Sequence, residues 1–308
     1  MRFAIIDLGT NTFNLLIAEK TGSDWKHVFN TKIAVKLGEG GMNESKIVDA
    51  AFQRGIKAME SHLQTMKEWS VEKHHAFATS AIRSSSNGQE FVEAVKDSTG
   101  ISVEVIDGNR EAELIHKGVV QTDWLSDKVD LIVDIGGGST ELILATEERV
   151  LWKQSFDLGV SRLLERLKPS DPTSQKDIQN LENTLNSELS PLFEACREID
   201  IHSMIGSSGS FDSVVEMIEA RENPNAEVNV MSEHHAIPLE DFNWLYKTLL
   251  PTTTEERLHF PGLVTMRAEM IVFSLIIIRF LLRKLKIKNL RHSAFALKEG
   301  ALSELMYE

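Results

Sequence analysis

The sequence has a single cysteine and no long apolar run, and these two absences exclude several classes of protein. Cys196 alone can form neither an internal disulfide framework nor a cysteine-rich zinc site. The most apolar stretch, residues 270–282, contains Arg279 and is too short to cross a bilayer, so it predicts a buried core helix. Nothing at the N-terminus resembles a signal peptide, because an apolar strand pattern begins at residue 3. We therefore expect a cytoplasmic protein.

Positive charge is also scarce. The 308 residues carry a formal net charge of −13 at pH 7, which argues against a large nucleic-acid-binding face. The basic residues concentrate at 283–292, either as the cationic end of a helix or as a basic wall of a binding cleft. An acidic protein can still bind a polyanion where a metal ion and aimed backbone N–H groups make the site locally positive. We expect neither a nucleic-acid partner nor a membrane.

Three common catalytic signatures are missing as well. The absence of a G-x-x-x-x-G-K-[ST] motif excludes a Walker-type nucleotide hydrolase. There is no G-x-S-x-G motif, so no nucleophile elbow is predicted. The ten histidines show no H-E-x-x-H or other metal-ligand spacing, and we assign them no metal role.

An internal repeat is the strongest feature that the sequence does contain. Residues 7–18 read DLGTNTFNLLIA, and residues 134–145, 127 positions later, read DIGGGSTELILA. Each copy follows an apolar run and predicts a strand, a tight Asp-x-Gly turn and a second strand. A repeat of this length indicates two α/β domains of one design, placed at 1–124 and 125–308, with helix 299–308 packing on the first. Each domain is predicted to hold a mixed sheet flanked by helices, with the two polar turns facing an interdomain cleft.

The two turns have the composition of phosphate-binding loops. Glycine lets backbone amides approach an anion, and successive amides in a turn form an anion-binding nest. Asp7 and Asp134, each at a strand end, can hold a hydrated Mg²⁺ or another divalent cation such as Mn²⁺. Two ordinary glycine hairpins are the alternative, but aspartate in both copies favours a phosphate site. The predicted phosphate-binding residues here are Gly9, Thr10, Asn11, Thr12, Gly136, Gly137, Gly138 and Ser139.

A second pair of loops keeps the same offset. Residues 78–83 (ATSAIR) stand 127 positions before residues 205–210 (IGSSGS), and both are predicted strand-to-turn segments rich in small hydroxyl side chains. Arg83, expected directly after a strand at 76–81, is either a surface arginine or a bidentate phosphate ligand. The GSSGS segment opens a predicted helix, whose N-terminal amides can bind phosphate. Its predicted phosphate-binding residues are Gly206, Ser207, Ser208 and Gly209.

Two glutamates are further candidates for chemistry. Glu111 opens a helix predicted over 107–120, either as an acid favoured by the helix dipole or as the base that deprotonates an attacking water. Glu141 lies in the return strand of the second turn, where it can bind metal or orient water. Asn14 holds that place in the first copy, so the second repeat is predicted to be the chief binder of phosphate and metal.

These motifs, in their order along the chain, resemble those of a known family. LGEGG, ATSAIR, IDGNREAELIHKGV, VDIGGGSTELIL, GSSGS and ALKEGAL together are similar to the exopolyphosphatase and guanosine pentaphosphate phosphohydrolase (Ppx/GppA) family, in its short two-domain form. The family belongs to the sugar kinase, Hsp70 and actin superfamily, so the resemblance implies two actin-like (ribonuclease H-like) domains. It covers essentially the whole chain.

The resemblance also implies roles for single residues. It places Glu111 at the proposed catalytic base, Asp134 and Glu141 at acids associated with metal and water, and Arg83 at the arginine of the AT-x-x-x-R segment. One departure is Arg110, which stands where a first glutamate is frequent. The implied activity is release of terminal orthophosphate from inorganic polyphosphate, or from pppGpp to give ppGpp, by a Mg²⁺-dependent homodimer.

Two functions of other classes remain open at this stage. One is a small-molecule kinase of the same superfamily, although no sequence signature of a nucleotide or acceptor pocket is visible. The other is a non-catalytic sensor that binds polyphosphate or an alarmone.

Overall fold

The computed structural model of the protein describes residues 1–22, 24–223 and 234–307. A mobile loop predicted over 221–230 lies outside the described residues from 224 onward. Within the described part of the chain, no helix is both long enough and apolar enough to cross a membrane.

The chain divides into two compact units. The first comprises Met1–Gly118 and Leu297–Glu308, and the second comprises Val119–Ala296. Each unit has one mixed β-sheet with helices beside it. The predicted α/β class, with two mixed sheets flanked by helices, is therefore confirmed.

The first unit holds a five-stranded sheet. Its strands are β1 Arg2–Leu8, β2 Thr12–Thr21, β3 Asp24–Ala34, β4 Lys73–Ala78 and β5 Val103–Val105. Its helices are α1 Asp49–Glu68, α2 Ser80–Arg83, α3 Gly88–Thr99, α4 Gly108–Val120 and α12 Leu297–Tyr307. The strand order is β3-β2-β1-β4-β5, with β1 to β3 antiparallel and β4 and β5 parallel to β1.

The second unit repeats this order with one extra edge strand. Its strands are β6 Asp130–Ile135, β7 Thr140–Ala145, β8 Val150–Phe156, β9 Met204–Ser207, β10 His235–Ile237 and β11 Leu290–Ser293. Its helices are α5 Val160–Leu167, α6 Gln175–Glu188, α7 Ser190–Ala195, α8 Gly209–Glu222, α9 Leu239–Leu249, α10 Thr254–Arg257 and α11 Ile271–Lys284, with a 3₁₀ turn at Thr265–Arg267. The strand order is β10-β11-β9-β6-β7-β8.

The repeated sequence folds into two hairpins of the same register. Asp7 lies opposite Asn14 in β1 and β2, and Asp134 lies opposite Glu141 in β6 and β7. The pairing of β2 with β3 shifts register after Ile17, and the pairing of β7 with β8 shifts register at the equivalent place, after Leu144. The offset of 127 positions therefore holds residue by residue through both hairpins.

The offset does not hold for the second pair of loops. Asp7 pairs with Phe77, whereas Asp134 pairs with Ser207, so these equivalent positions are 130 residues apart. The alignment of residues 78–83 with 205–210 is wrong by three positions, because the connection from the hairpin to the next strand is longer in the second unit. The strand predicted at 76–81 also ends early: β4 stops at Ala78, and α2 follows.

The core of the second unit is built around α11. Residues of this helix from Ile271 to Leu282 are buried, apart from Arg279, which confirms the predicted core helix. The Arg279 guanidinium lies 4.4 Å from the centre of the Tyr246 ring, so the charge stacks on an aromatic face of α9. In the first unit, α1 and α3 cover one face of the sheet, and Phe91 packs edge-on against Phe52 at 5.0 Å.

Candidate active site

The two Asp-x-Gly turns share one hydrogen-bonding scheme. The Gly9 amide donates to the Thr12 carbonyl at 3.0 Å, and the Gly136 amide donates to the Ser139 carbonyl at 3.0 Å. A Cβ at Gly9 would lie 3.0 Å from the Thr12 oxygen, and one at Gly136 would lie 3.1 Å from the Ser139 oxygen. These contacts are tight, so both turns leave little room for a side chain where the backbone closes on itself.

The glycine loop of the second unit presents unused amides. Among the described residues, the backbone N–H groups of Gly137, Gly138 and Ser139 donate to no protein acceptor. Ser139 is only 3% exposed, so its amide has little access to water. Gly138 and Ser139 are buried and Gly137 is half-buried. Buried amides are nearly always paired in folded proteins, and three successive unused amides fit the oxygens of an anion. The predicted phosphate-binding loop thus has the required donors.

The hairpins differ in the side chain that faces the aspartate. In the first unit, Asn14 Nδ2 donates to Asp7 Oδ2 at 3.0 Å. In the second unit, the residue opposite Asp134 is Glu141, and directly opposite side chains of an antiparallel pair lie on the same face. Both carboxylates are buried, at 9% and 2% exposed. The second unit therefore holds two acids where the first holds an acid and an amide.

Hydroxyl groups and an arginine partly offset the cost of burying the negative charge of Asp134. Burial raises the pKa of Asp134, while hydrogen bonds from Ser208 and Ser207 and the charge of Arg267 oppose that rise. Ser207 Oγ donates to Asp134 Oδ2 at 3.2 Å, and Ser155 Oγ donates to Glu141 Oε1 at 2.6 Å. Asp134 and Glu141 thus bring two adjacent buried carboxylates together, and all four of their donor atoms are oxygens.

This donor set fits a magnesium ion. Mg²⁺ is typically held in proteins by one or two carboxylates, with water and substrate phosphate completing six ligands. Among the described residues, no group of three or more histidine, cysteine, aspartate or glutamate side chains is arranged to hold a metal. Asp134 and Glu141 supply the two carboxylates that such sparse protein ligation of Mg²⁺ uses.

The GSSGS segment forms the turn from β9 into α8. Ser207 ends the strand, and Ser208 adopts φ of 67°, a left-handed conformation that is unusual for a residue with a side chain. Ser210 Oγ donates to the Ile135 carbonyl at 3.1 Å, which ties this turn to the end of β6. Of the four predicted residues, Ser207 pairs with Asp134 across the parallel strands, whereas Gly206 pairs with Val133 and packs against the Phe211 ring.

Arg267 is a site residue that the sequence analysis did not select. Its guanidinium lies against Gly209, where a Cβ would stand 1.7 Å from Nη2, so that glycine makes room for it. Burial lowers the pKa of Arg267, and the charges of Asp212, Glu216 and Asp134 act to raise it. The only sequence signal was its place in an Arg-Ala-Glu triplet, far from residue 134 along the chain.

Arg83 and Glu111 meet in the first unit. Arg83 Nη1 donates to Glu111 Oε2 at 2.7 Å and to the Ile106 carbonyl at 3.0 Å. The Glu111 side chain is 9% exposed and that of Arg83 is 24% exposed. Asp107 starts the helix that carries Glu111 by accepting the Asn109 and Arg110 amides, each at 2.8 Å. Two residues predicted from separate motifs thus form one charge-assisted pair.

Comparisons with known proteins agree with these features. Residues 16–308 match the Ppx/GppA phosphatase family. A guanosine-5'-triphosphate,3'-diphosphate pyrophosphatase from Photobacterium profundum is 26% identical over 304 residues; the match covers 99% of this chain and 59% of that relative. The chain thus spans about three fifths of that curated relative's length.

Solved structures give the same assignment. The crystal structure of an exopolyphosphatase from Cytophaga hutchinsonii is 36% identical with a TM-score of 0.96, over 100% of this chain and 98% of that one. The crystal structure of the Aquifex aeolicus Ppx/GppA family member, at 24% identity and a TM-score of 0.81 over 100% and 98% of the two chains, shares the fold. With a family match over nearly the whole sequence and both hairpin turns in place, this protein belongs to the Ppx/GppA phosphatase family.

Proposed function

We propose that this protein is a phosphoanhydride hydrolase that releases terminal orthophosphate from inorganic polyphosphate, from guanosine pentaphosphate, or from both. The observation that carries the proposal is the glycine loop 136–139, with three unused amides beside the buried acids Asp134 and Glu141. The names of two relatives support the two substrates, since one is a guanosine-5'-triphosphate,3'-diphosphate pyrophosphatase and another an exopolyphosphatase.

In this proposal the loop amides bind the oxygens of the terminal phosphoryl group. Negative charge on those oxygens must be stabilised during transfer, and donors that are already aimed need no reorganisation. The Ser139 hydroxyl adds a side-chain donor to the amides. Asp134 and Glu141 would hold Mg²⁺ or Mn²⁺, which when bound supplies positive charge to the phosphate oxygens.

Glu111 is proposed as the general base. Its carboxylate takes a proton from water as the water oxygen forms a bond to the terminal phosphorus, and the bridging P–O bond breaks on the opposite side. The leaving group is the shortened polyphosphate or the guanosine tetraphosphate. Arg83 holds the Glu111 carboxylate through Nη1, and its other N–H groups are proposed to bind phosphate.

The test compares Glu111→Gln with Glu113→Gln, a neighbour on α4 whose side chain is 47% exposed. Phosphate release is measured with short polyphosphate, long polyphosphate and pppGpp, each with and without Mg²⁺. We expect Glu111→Gln to retain substrate binding and lose at least about 100-fold in turnover, because a positioned base contributes roughly that factor or more. Glu113→Gln is expected to match the wild type.

Three results would contradict parts of this proposal. Turnover of Glu111→Gln at the wild-type rate would remove Glu111 as the base. Binding of these substrates by the wild type without any hydrolysis would identify a sensor instead of an enzyme. Transfer of phosphate from ATP to an added acceptor would identify a kinase.

We propose a homodimer that acts in the cytoplasm. Sedimentation equilibrium of the purified protein at assay concentration tests the first point, and a fluorescent fusion in the source cell tests the second.

A further inference from the structure

The start of α5 holds the glycine loop from behind. The Val160 amide donates to the Gly136 carbonyl at 2.9 Å, and the Arg162 amide donates to the Gly137 carbonyl at 3.1 Å. The Arg162 side chain binds the next carbonyl of the loop, with Nε donating to the Gly138 oxygen at 2.9 Å. Three successive carbonyls of the loop are thus held by two residues of one helix.

These three carbonyls determine where the three unused amides point. A carbonyl and the N–H of the following residue belong to one planar peptide group and point in opposite directions. Holding the carbonyl of Gly138 therefore aims the N–H of Ser139 away from α5. The same relation links Gly136 to the Gly137 amide, and Gly137 to the Gly138 amide. Each of the three unused loop amides therefore belongs to a peptide group whose carbonyl accepts a hydrogen bond from α5.

Gly159 allows this close contact. A Cβ at that position would stand 2.4 Å from the Gly137 carbonyl carbon and oxygen, so any side chain would displace the loop. Its backbone conformation, φ −67° and ψ 150°, is accessible to every residue. Glycine is therefore required at 159 by the approach of the loop and not by backbone strain.

Arg162 is the side-chain part of this support. Its side chain is 13% exposed, and Nη2 also lies 3.5 Å from Oδ1 of Asp157, a carboxylate that is 72% exposed. In the first unit main-chain donors hold the corresponding carbonyl, since the Val35 and Lys36 amides donate to the Asn11 oxygen at 2.9 and 2.8 Å. The second unit thus uses an arginine side chain at a point where the first uses main-chain donors.

We propose that Arg162 is a positioning residue that fixes the Gly138–Ser139 peptide so that the Ser139 amide is aimed at a phosphate oxygen, with Gly159 providing the necessary approach. The inference rests on the proposed function for its substrate, a terminal phosphate. It assigns no contact between Arg162 and the substrate; the arginine acts through the loop.

The experiment follows backbone amide resonances of ¹⁵N-labelled protein during titration with inorganic phosphate and with tripolyphosphate. Arg162→Lys keeps the positive charge but lacks the planar Nε–H that reaches the Gly138 carbonyl. We expect its affinity for phosphate to fall about tenfold, as loss of one charge-assisted hydrogen bond implies. The Ser139 amide shift on binding should be lost, whereas that of Gly137, whose preceding carbonyl is held by Val160, should remain.

Arg166→Lys is the matched control, because Arg166 lies one turn further along α5 and pairs with Glu188 at 3.0 Å. It should bind phosphate like the wild type. Gly159→Ala is a second variant and should weaken the response of all three loop amides. Thermal unfolding of each variant separates a lost binding response from a lost fold.

The outcomes separate this inference from the proposed function. A Ser139 response in Arg162→Lys equal to that of the wild type would overturn the positioning role, even if the enzyme hydrolyses polyphosphate. Absence of any loop amide response to phosphate in the wild type would overturn it as well. Selective loss at Ser139, in a protein that hydrolyses none of the tested substrates, would support the positioning role and reject the hydrolase.

Discussion

At the scale of single residues, positions 14 and 141 occupy the same cross-strand place in the two hairpins. Asn14 donates an amide hydrogen bond to Asp7, so a neutral dipole stabilises the single negative charge of that pair. Glu141 instead places a second buried carboxylate beside Asp134, and two adjacent acids repel one another unless a proton or a cation intervenes. The two hairpins therefore differ in charge at this place, since the second holds two buried acids and the first holds one acid and an amide.

Glu141→Asn transfers the side chain of the first repeat into the second. We expect the free energy of unfolding to change by no more than about 1 kcal/mol, because the lost Ser155 contact is offset by removal of a buried charge. Phosphate release should fall at least about 100-fold, as loss of charge stabilisation at a reacting phosphate implies. Urea unfolding and Mg²⁺ titration of activity measure the two effects.

Glu148→Asn in the exposed turn after β7 is the control and should leave both quantities unchanged. If Glu141→Asn keeps wild-type activity and its Mg²⁺ dependence, the cation is held without Glu141.

Candidate site residues that lie in sequence motifs could be proposed from the sequence, whereas two arginines that only tertiary contacts bring to the site could not. Asp134 and Glu141 were selected because the first repeat supplied a template for comparison. Arg267 and Arg162 lie in no repeat, and only tertiary contacts bring them to Gly209 and Gly138. An isolated arginine in a sequence gives no indication of which distant carbonyl or carboxylate it will meet.

At the scale of elements, α12 fixes the helix that carries Glu111. A Cβ at Gly300 would lie 1.9 Å from the Leu114 carbonyl oxygen, so α12 crosses α4 at backbone distance. Glu304 of α12 also binds Arg110 and Lys117, which lie on α4 on either side of this crossing. The resemblance implies a glutamate at position 110, and the pairing with Glu304 accounts for the arginine found there. The orientation of α4 depends on both contacts.

Glu304→Gln should weaken this attachment in a pH-dependent way. Burial acts to raise the pKa of Glu304, but hydrogen bonds from Arg110 and Lys117 outweigh it and leave the pKa below its ordinary value. A carboxyl with a lowered pKa stabilises the fold above its unfolded-state pKa, and this contribution is lost as the pH falls toward the folded-state value. We expect the variant to lose about 1 kcal/mol at neutral pH, since the pair is partly exposed.

Urea unfolding at neutral pH and at progressively lower pH measures the difference between variant and wild type. That difference should shrink below about pH 4.3, the ordinary glutamate pKa. Glu60→Gln, at an exposed position of α1, should show no comparable loss at any pH. A loss for Glu304→Gln that stays constant into acid would point to packing and not to the ion pair.

At the scale of the whole molecule, the internal repeat predicted two similar sheets and the register of both hairpins. Hairpin register depends on local alternation and a short turn, and both are visible in the sequence. The position of the following parallel strand depends on a long connection, which differs by three residues between the units. The offset of 127 positions is therefore correct within each hairpin and wrong at residues 78–83. The predicted strand there ends at Ala78, and the short helix α2 follows.

The net charge of −13 predicts an unusual salt dependence for a protein that acts on polyanions. Proteins that bind nucleic acid through basic faces lose affinity as salt rises. At an ionic strength of about 10 mM the Debye length is roughly 30 Å, so charges closer than this are weakly screened. The summed negative charge of the protein therefore repels a long polyphosphate. We expect kcat/KM for long polyphosphate to rise as monovalent salt increases from about 10 to about 100 mM at fixed free Mg²⁺. Tripolyphosphate, with fewer charges, should show a smaller rise, and a fall for both substrates would mean that local positive charge at the loops outweighs the net charge.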